Sequence, residues 1–508
     1  MTKKKSGRYP CTDTGNAELI AALFGDMLRY DHRQSRWLIW DKRRHRWSED
    51  NSGRVRQHGI QAARYRRRAA ARLADTEKSK AEIKWAFESE DRHKLDAALE
   101  IAKCLPPLSD SGDGWDANPW LLGVANGVVD LRAGKLREEQ LDDRITKHSP
   151  VPYEPNAKCP RFERFLAEIF GEDMELTHYM QRAVGYSLTG STVEQCVFCC
   201  YGSGANGKTT LIEIVRHLLG NYAANLLFSA LEPKTRSSND LVALAGSRFA
   251  TAAETNEGVK LNEARIKVLT GGDPITARRL YHEAFTFQPS HKLFLAFNHK
   301  PRIDDDSEGM WRRVHMIPFT RQFKPEEQDK NLLDTLRGEA PGILAWAVRG
   351  CLFLQKEGLG MPPAVAKATA DYREESDHLG EFLEDCCIVD ADATVSSGAL
   401  WKGYERWVAI SDEKRLARNV FTERLQRRGY QLARIGHEGT RAWRGIKLRE
   451  GSHADTPTPE TAVSEDSPMR GEVGSLQNNC PQASARQQSE RTRQLLVELG
   501  AEPTPWID

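Results

Sequence analysis

The sequence predicts an α/β protein built on a parallel sheet that carries a phosphate-binding loop. Three observations predict it. Gly202-Ser-Gly-Ala-Asn-Gly207-Lys208-Thr209 fits G-x-x-x-x-G-K-[ST] and lies between a short apolar run, Gln195 to Tyr201, and a helical one, Thr210 to Leu219. Two further apolar runs, Arg248 to Ala253 and His291 to Phe297, end in the polar residues Glu254 and Asn298. Near the C-terminus, residues 400–448 read helix, helix, strand, strand.

Composition bounds the class. The chain has 508 residues, 29% of them charged and 39% apolar, with a net charge of +1. That is ordinary for a multi-domain globular protein with no global field toward nucleic acid. No run of eighteen apolar residues exists, so no membrane partner is expected. The start MTKKKSGRYPCTD lacks an apolar segment of the secretory kind, and a reducing cytoplasm is expected. Cys196-x-x-Cys199 is followed by no second ligand pair at zinc spacing, so the cysteines read as apolar thiols in a buried strand. From Arg54 to Arg72 there are seven arginines and no acid, with Arg64, Arg68 and Arg72 on one helical face. An unbalanced face of this kind is a candidate phosphate contact.

The elements follow in order. Residues 1–150 read as a mixed α/β domain, with a hairpin at Trp37 to Trp47, a long charged helical stretch over about 54–104 and strands around Asn126-Gly127. Residues 151–188 form a linker and helical pair, 189–345 the nucleotide-binding fold and 346–377 a helical connector. Residues 378–449 form a smaller unit in which the helices at 400–407 and 421–428 precede two strands. Helices followed by a hairpin make a winged helix with a basic recognition helix. Residues 450–508 are rich in Ser, Thr, Pro, Glu and Gln and predict a largely disordered tail, with a short helix near 484–498.

The loop glycines let successive amides turn inward, with Gly202, Ser203, Gly204, Ala205, Asn206, Gly207, Lys208, Thr209 and Thr210 surrounding the phosphates. Lys208 reaches the outer phosphates and the Thr209 hydroxyl ligates Mg²⁺. Glu254, with Glu257 in reserve, suits a water-polarising or Mg²⁺-holding acid at a strand end. Asn298 suits an amide that orients the attacking water. Arg312 and Arg313 precede an apolar strand and suit a finger extended to a neighbour's phosphate. Alone, each has an ordinary structural reading, as a strand-end acid, a turn amide or a surface cation. Leu269-Thr-Gly-Gly-Asp273 precedes no acidic strand of the transporter type, and Asn298-His-Lys-Pro301 is not the guanine reader Asn-Lys-x-Asp.

Taken in order, GSGANGKTT, AAETNEG, KVLTGGDPITARRLY, LFLAFNHKPRI and SEGMWRRVHMIPF resemble the superfamily-3 helicases. More narrowly they resemble the helicase portion of phage and plasmid primase–helicases, relatives of the poxvirus primase-helicase, over residues 10–450 or so. The resemblance implies an AAA+-like P-loop core with an N-terminal helicase-associated region and a C-terminal winged-helix domain. It also implies ATP and Mg²⁺, a homo-hexameric ring with ATP between subunits, and action on single-stranded and forked DNA in a bacterial host's cytoplasm. A channel hairpin is implied at Lys267, Arg278, Arg279, Tyr281 and His282, where cations and an aromatic meet a single strand. Many members have two adjacent acids at the Glu254 motif, whereas Thr255 and Asn256 separate Glu254 from Glu257 here. No paired-acid primase motif precedes residue 150, so a separate primase is the expected partner. The alternatives are an origin-binding initiator that uses ATP as an assembly switch, and an ATPase acting on RNA or against mobile elements.

Overall fold

The computed structural model describes residues 9–233, 239–254, 258–278, 283–411, 415–435 and 439–449. The predicted tail over 450–508 lies outside them. Among the described residues no helix is long and apolar enough to cross a membrane.

The N-terminal region begins with α1 (Asp13–Phe24), β1 (Leu28–Asp31), β2 (Arg36–Asp41) and β3 (Arg46–Glu49). The next stretch, expected to be helical, is divided into three helices: α2 (Arg54–Ala70), α3 (Thr76–Glu88) and α4 (Arg92–Ala102). Asp75 stops the run because its carboxylate caps the amides of Glu77 and Lys78, which starts a new helix. The break folds acids back onto α2 and corrects the reading of its arginines. Arg66 is fully buried and donates to Glu82 at 2.7 Å and to Asn16 at 3.0 Å. Arg64 and Arg67 face Glu90 at 3.3 and 3.6 Å, and Arg56 pairs with Asp96. Four of the seven arginines are therefore paired within the chain, while Arg68 and Arg72 of the expected face stay exposed with no ion-pair partner among the described residues. β4 (Ser109–Asp110) completes a sheet in the order β3-β2-β1-β4. A second small sheet joins β5 (Leu121–Val124), β6 (Gly127–Asp130) and β7 (Lys135–Arg137).

Two helices, α5 (Pro160–Phe170) and α6 (Met174–Leu188), lead to the central sheet. Along the chain follow β8 (Val197–Tyr201), α7 (Lys208–Leu219), β9 (Ala223–Asn225), β10 (Phe249–Glu254) and α8 (Glu263–Thr270). The hairpin β11 (Ile275–Arg278) and β12 (Ala284–Phe287) comes next. After it run β13 (Lys292–Phe297), α9 (Glu308–Trp311), β14 (Val314–Pro318), α10 (Leu332–Gly338), α11 (Ala340–Glu357) and α12 (Pro363–Glu375). The order is β14-β8-β13-β10-β9 and every neighbouring pair is parallel. Helices cover both faces, as a parallel sheet requires. Phe198 and Cys200 of β8 join the core made with α5, α6, α7 and α11. Val197 and Cys199 join the opposite core with α8 and Tyr372 of α12. The alternation explains the apolar Val-Phe-Cys-Cys run. Burial pushes the Cys196 and Cys200 thiols up to about 12, so they pack as apolar groups.

Residues beyond 377 form α13 (His378–Cys386), β15 (Cys387–Ser396), α14 (Ser397–Ser411), α15 (Arg418–Arg427), β16 (Gln431–Ile435) and β17 (Thr440–Leu448). The sheet is antiparallel in the order β15-β17-β16, around a fully buried Trp443. β15 escapes sequence reading because its pairing register shifts between Val389 and Thr394, which breaks the alternation.

Candidate active site

Register places the site at the carboxyl edge of the central sheet. Tyr201 pairs with Phe297 and with Pro318, and Phe297 pairs with Glu254. Gly202, Asn298 and Phe319 are therefore the first residues beyond one common edge, where ligands of open α/β sheets bind.

The loop from Gly202 to Gly207 curls because several of its residues take left-handed dihedrals, Gly204 at φ +100°, Ala205 at +47° and Gly207 at +84°. Gly207 is also constrained by space, since a Cβ there would sit 2.5 Å from Ile169 Cγ2 on α5. At Gly202 a Cβ would meet the Asn206 amide nitrogen and the Phe319 carbonyl oxygen. α7 starts at Lys208, so its first amides have no helical acceptor and face the loop. Ser203, Ala205 and Thr209 are exposed, whereas Asn206 and Lys208 are buried.

The Lys208 ammonium is 5% exposed and donates to the Gly202 carbonyl at 2.5 Å and to Asn298 Oδ1 at 3.1 Å. Among the described residues it has no carboxylate partner. Burial lowers its pKa, partly offset by the thiol of Cys200 beneath it. A buried cation held only by dipoles is a preformed seat for an anion. The structure thus brings together Lys208 and Asn298, 90 residues apart in sequence. Glu254 ends the strand beyond Asn298 and occupies the same edge. Glu257, Arg279, Tyr281 and His282 lie outside the described residues.

One wall of the loop was not anticipated. The segment after β14 runs alongside it, with Phe323 N donating to Ala205 O at 2.8 Å and Phe319 N to Tyr201 O at 2.8 Å. Nothing local marks Phe319 to Phe323, which is adjacent only because β14 pairs with β8.

Arg312 and Arg313 are elsewhere. They precede Val314, which pairs with Val197, the first residue of β8. The five residues of β8 separate them from the loop, about 17 Å at ~3.3 Å per residue. Arg312 donates to Gln195 Oε1 at 2.9 Å and Arg313 to the Gly309 carbonyl. They lie at the opposite edge from Lys208 and cannot serve the loop of their own chain.

The candidate channel residues divide. Arg278 ends β11 and is exposed, while Lys267 sits on α8, away from the hairpin. Its ammonium is held by Asp305 at 2.5 Å. Asp305 belongs to an acidic loop whose other members are also engaged, Asp304 by Lys260 at 2.5 Å and Asp306 by Arg427 at 2.9 Å. Burial opposes ionisation of Asp304, yet the Lys260 and Arg302 cations hold its pKa below the usual carboxylate value. Arg424 also approaches Asp306, at 3.8 Å, and Arg428 pairs with Asp377. The basic end of α15, read from sequence as a groove-facing surface, is thus turned onto acids of the same chain.

With this geometry in place, comparison with known proteins is informative. The family described as D5 N terminal like matches residues 17–171, and a family of unknown function matches residues 200–313. "Putative helicase L207/L206" of Acanthamoeba polyphaga mimivirus is 31% identical over 320 residues, 58% of this chain and 33% of that protein. These matches support a relationship of the chain to the D5-like primase–helicases. "Putative helicase 022R" of Frog virus 3 is 25% identical over 390 residues, covering 59% of this D5-like chain and 40% of the relative. "Putative primase C962R" of African swine fever virus is 30% identical over 356 residues, covering 61% and 36%. The chain spans between a third and two-fifths of the length of these relatives. Among solved structures, the apo C-terminal region of NrS-1 has a TM-score of 0.48 at 10% identity, covering 85% of this chain and 99% of that one.

Proposed function

We propose that this D5-like chain is an ATP-driven DNA helicase subunit with a P-loop core of the superfamily-3 type. In this reading it works in a ring, usually six copies, on single-stranded and forked DNA during replication of a phage, plasmid or viral genome. The observation that carries the reading is the division of the sheet. Lys208, Asn298 and the end of the Glu254 strand share one edge, while Arg312 and Arg313 lie at the other. A site built this way is incomplete within one chain and is completed by a neighbour's arginine, which couples hydrolysis to movement between subunits.

The residues present fit ATP with Mg²⁺. The loop amides and the Lys208 ammonium suit a triphosphate, and the Thr209 hydroxyl and Glu254 carboxylate are the groups that would hold the metal. Bound there, Mg²⁺ neutralises charge on the outer phosphates. Lys208 gives up its contact with Asn298 on gripping the phosphates, which frees the amide to orient the attacking water. Arg278 with Arg279, Tyr281 and His282 would track the strand through the channel, and residues 378–449 would act as a winged helix gripping duplex. A primase on another polypeptide or a further domain would complement it.

Strand displacement on a forked DNA with ATP and Mg²⁺, run beside Lys208→Ala, tests the reading. Unwinding by the wild type alone supports a motor. Single-strand-stimulated hydrolysis without unwinding would contradict it and favour the initiator switch.

A further inference from the structure

The turn between β2 and β3, Asp41-Lys42-Arg43-Arg44-His45-Arg46, is the most basic surface turn of the N-terminal region. Lys42, Arg43 and Arg44 are exposed and Arg46 is half-buried. Among the described residues none of these four cations has an ion-pair partner, in contrast to Arg56, Arg64, Arg66 and Arg67 of α2. The single acid of the turn is already committed, because Asp41 accepts the backbone amides of Arg43 and Arg44 at 2.9 and 3.2 Å. Those bonds hold the turn in shape and leave the side chains free. Trp40 and Trp47 pack edge to face beneath it, with ring centroids 5.6 Å apart, so the cations stand on a rigid base.

Arg46 also lines a groove of about 1050 Å³ that runs between the β2–β3 hairpin and the amino edge of the central sheet. Arg36, Lys147, Trp115, Phe285 and Phe287 line it too. Arg36 is held by Asp31 and Glu49, at 3.1 and 3.3 Å, and Lys147 is turned onto the Asn221 carbonyl at 2.9 Å with Asp116 nearby, so the exposed uncompensated charge comes from Arg46 and the turn. The two phenylalanines are half-buried on β12, with ring centroids 5.9 Å apart, and offer an apolar floor. The groove's lining therefore includes both Arg46, next to the turn cations, and Phe287, which pairs with Ile275 at the base of the hairpin that carries Arg278. The groove's volume is at or above the ~300–1,000 Å³ of ordinary small-molecule sites. Cations that track phosphates beside an apolar floor are what a single-stranded polynucleotide requires.

We propose that the β2–β3 turn and this groove form a second binding site for single-stranded DNA, which receives the strand at the base of the β11–β12 hairpin. It rests on the reading that the chain acts on DNA. The two fail separately: Lys208→Ala removes hydrolysis and spares this grip, whereas changes in the turn remove the grip and spare hydrolysis without DNA.

The test is fluorescence anisotropy with a labelled oligothymidylate and no nucleotide, using the full chain over a range of salt. Replacing Lys42, Arg43, Arg44 and Arg46 together by alanine should weaken binding about tenfold or more and lower the log–log salt slope by about 2 to 3, since each phosphate contact contributes about 0.7. The turn is exposed, and an unchanged melting temperature and DNA-independent hydrolysis would exclude misfolding. Ala117→Glu with Gln288→Glu, both exposed groove positions, should also weaken binding. Unchanged affinity and slope in the four-alanine variant would overturn the site. Loss in that variant with no effect of the two glutamates would overturn the groove as the strand's path.

Discussion

Lys208 shows how one residue can be positioned before its ligand arrives. Its ammonium is buried, hydrogen-bonded to Gly202 and Asn298 and without a described carboxylate partner, so under the proposed function an arriving triphosphate would supply the charge it lacks. Lys208→Ala should reduce ATP turnover by about 100-fold or more, the order seen when a preorganised charge contact to a transition state is removed. Steady-state phosphate release checks it. A second buried group contributes to the acid sensitivity of the fold. His315 on β14 accepts the Tyr179 hydroxyl at 2.5 Å, and burial lowers its pKa to about 4 from 6.5. A His with a depressed folded pKa is neutral in the native state, so the unfolded chain binds more protons between the two values. Stability therefore falls as pH drops from about 6.5 to about 4, with His315 contributing roughly 1–3 kcal/mol of that loss. Urea denaturation of wild type and His315→Gln across this range should show a smaller acid loss in the variant. Lys208 was legible because a short motif fixes its chemistry. The Asn298 contact and the Tyr179–His315 pair were not, since both depend on strands that are distant in sequence.

Elements differ in how far their charges were readable. The helical pair, the hairpin at Trp37 to Trp47 and the strands flanking the loop follow from periodicity and turn residues. The partners of the basic residues do not. Seven arginines in a row of nineteen residues looked like a phosphate face, yet α3 and α4 fold acids onto four of them. Arg66→Ala leaves Glu82 half of a buried pair and should cost roughly 3–5 kcal/mol. The exposed Arg68→Ala should stay within about 0.5 kcal/mol. Chemical denaturation separates the two. The same distinction applies around the β11–β12 hairpin, the proposed channel element. Lys267, on α8, is bound to Asp305 of the acidic loop, so Lys267→Ala should change single-strand affinity by less than about twofold, a surface-pair effect. Arg278→Ala with Arg279→Ala should leave basal hydrolysis intact and abolish its stimulation by single strands. Titrating ATPase activity with oligonucleotide reads both, and unchanged stimulation in the double variant would put the DNA contact elsewhere.

At the scale of the whole molecule, the parallel sheet separates the Gly202–Lys208 loop from Arg312 and Arg313. The order β14-β8-β13-β10-β9 was not legible from the sequence, because motif order along the chain says nothing of which strand lies beside which. Only the register shows that the loop and the paired arginines occupy opposite edges. From this follows the claim that hydrolysis needs two chains. The most direct test mixes Lys208→Ala chains with chains carrying both Arg312→Ala and Arg313→Ala, each inactive alone. Random association joins an intact loop to an intact arginine pair at about a quarter of the interfaces, and hydrolysis should return to about that fraction of wild type. A mixture as inactive as its components, with assembly confirmed by light scattering, would contradict a site shared between neighbouring subunits.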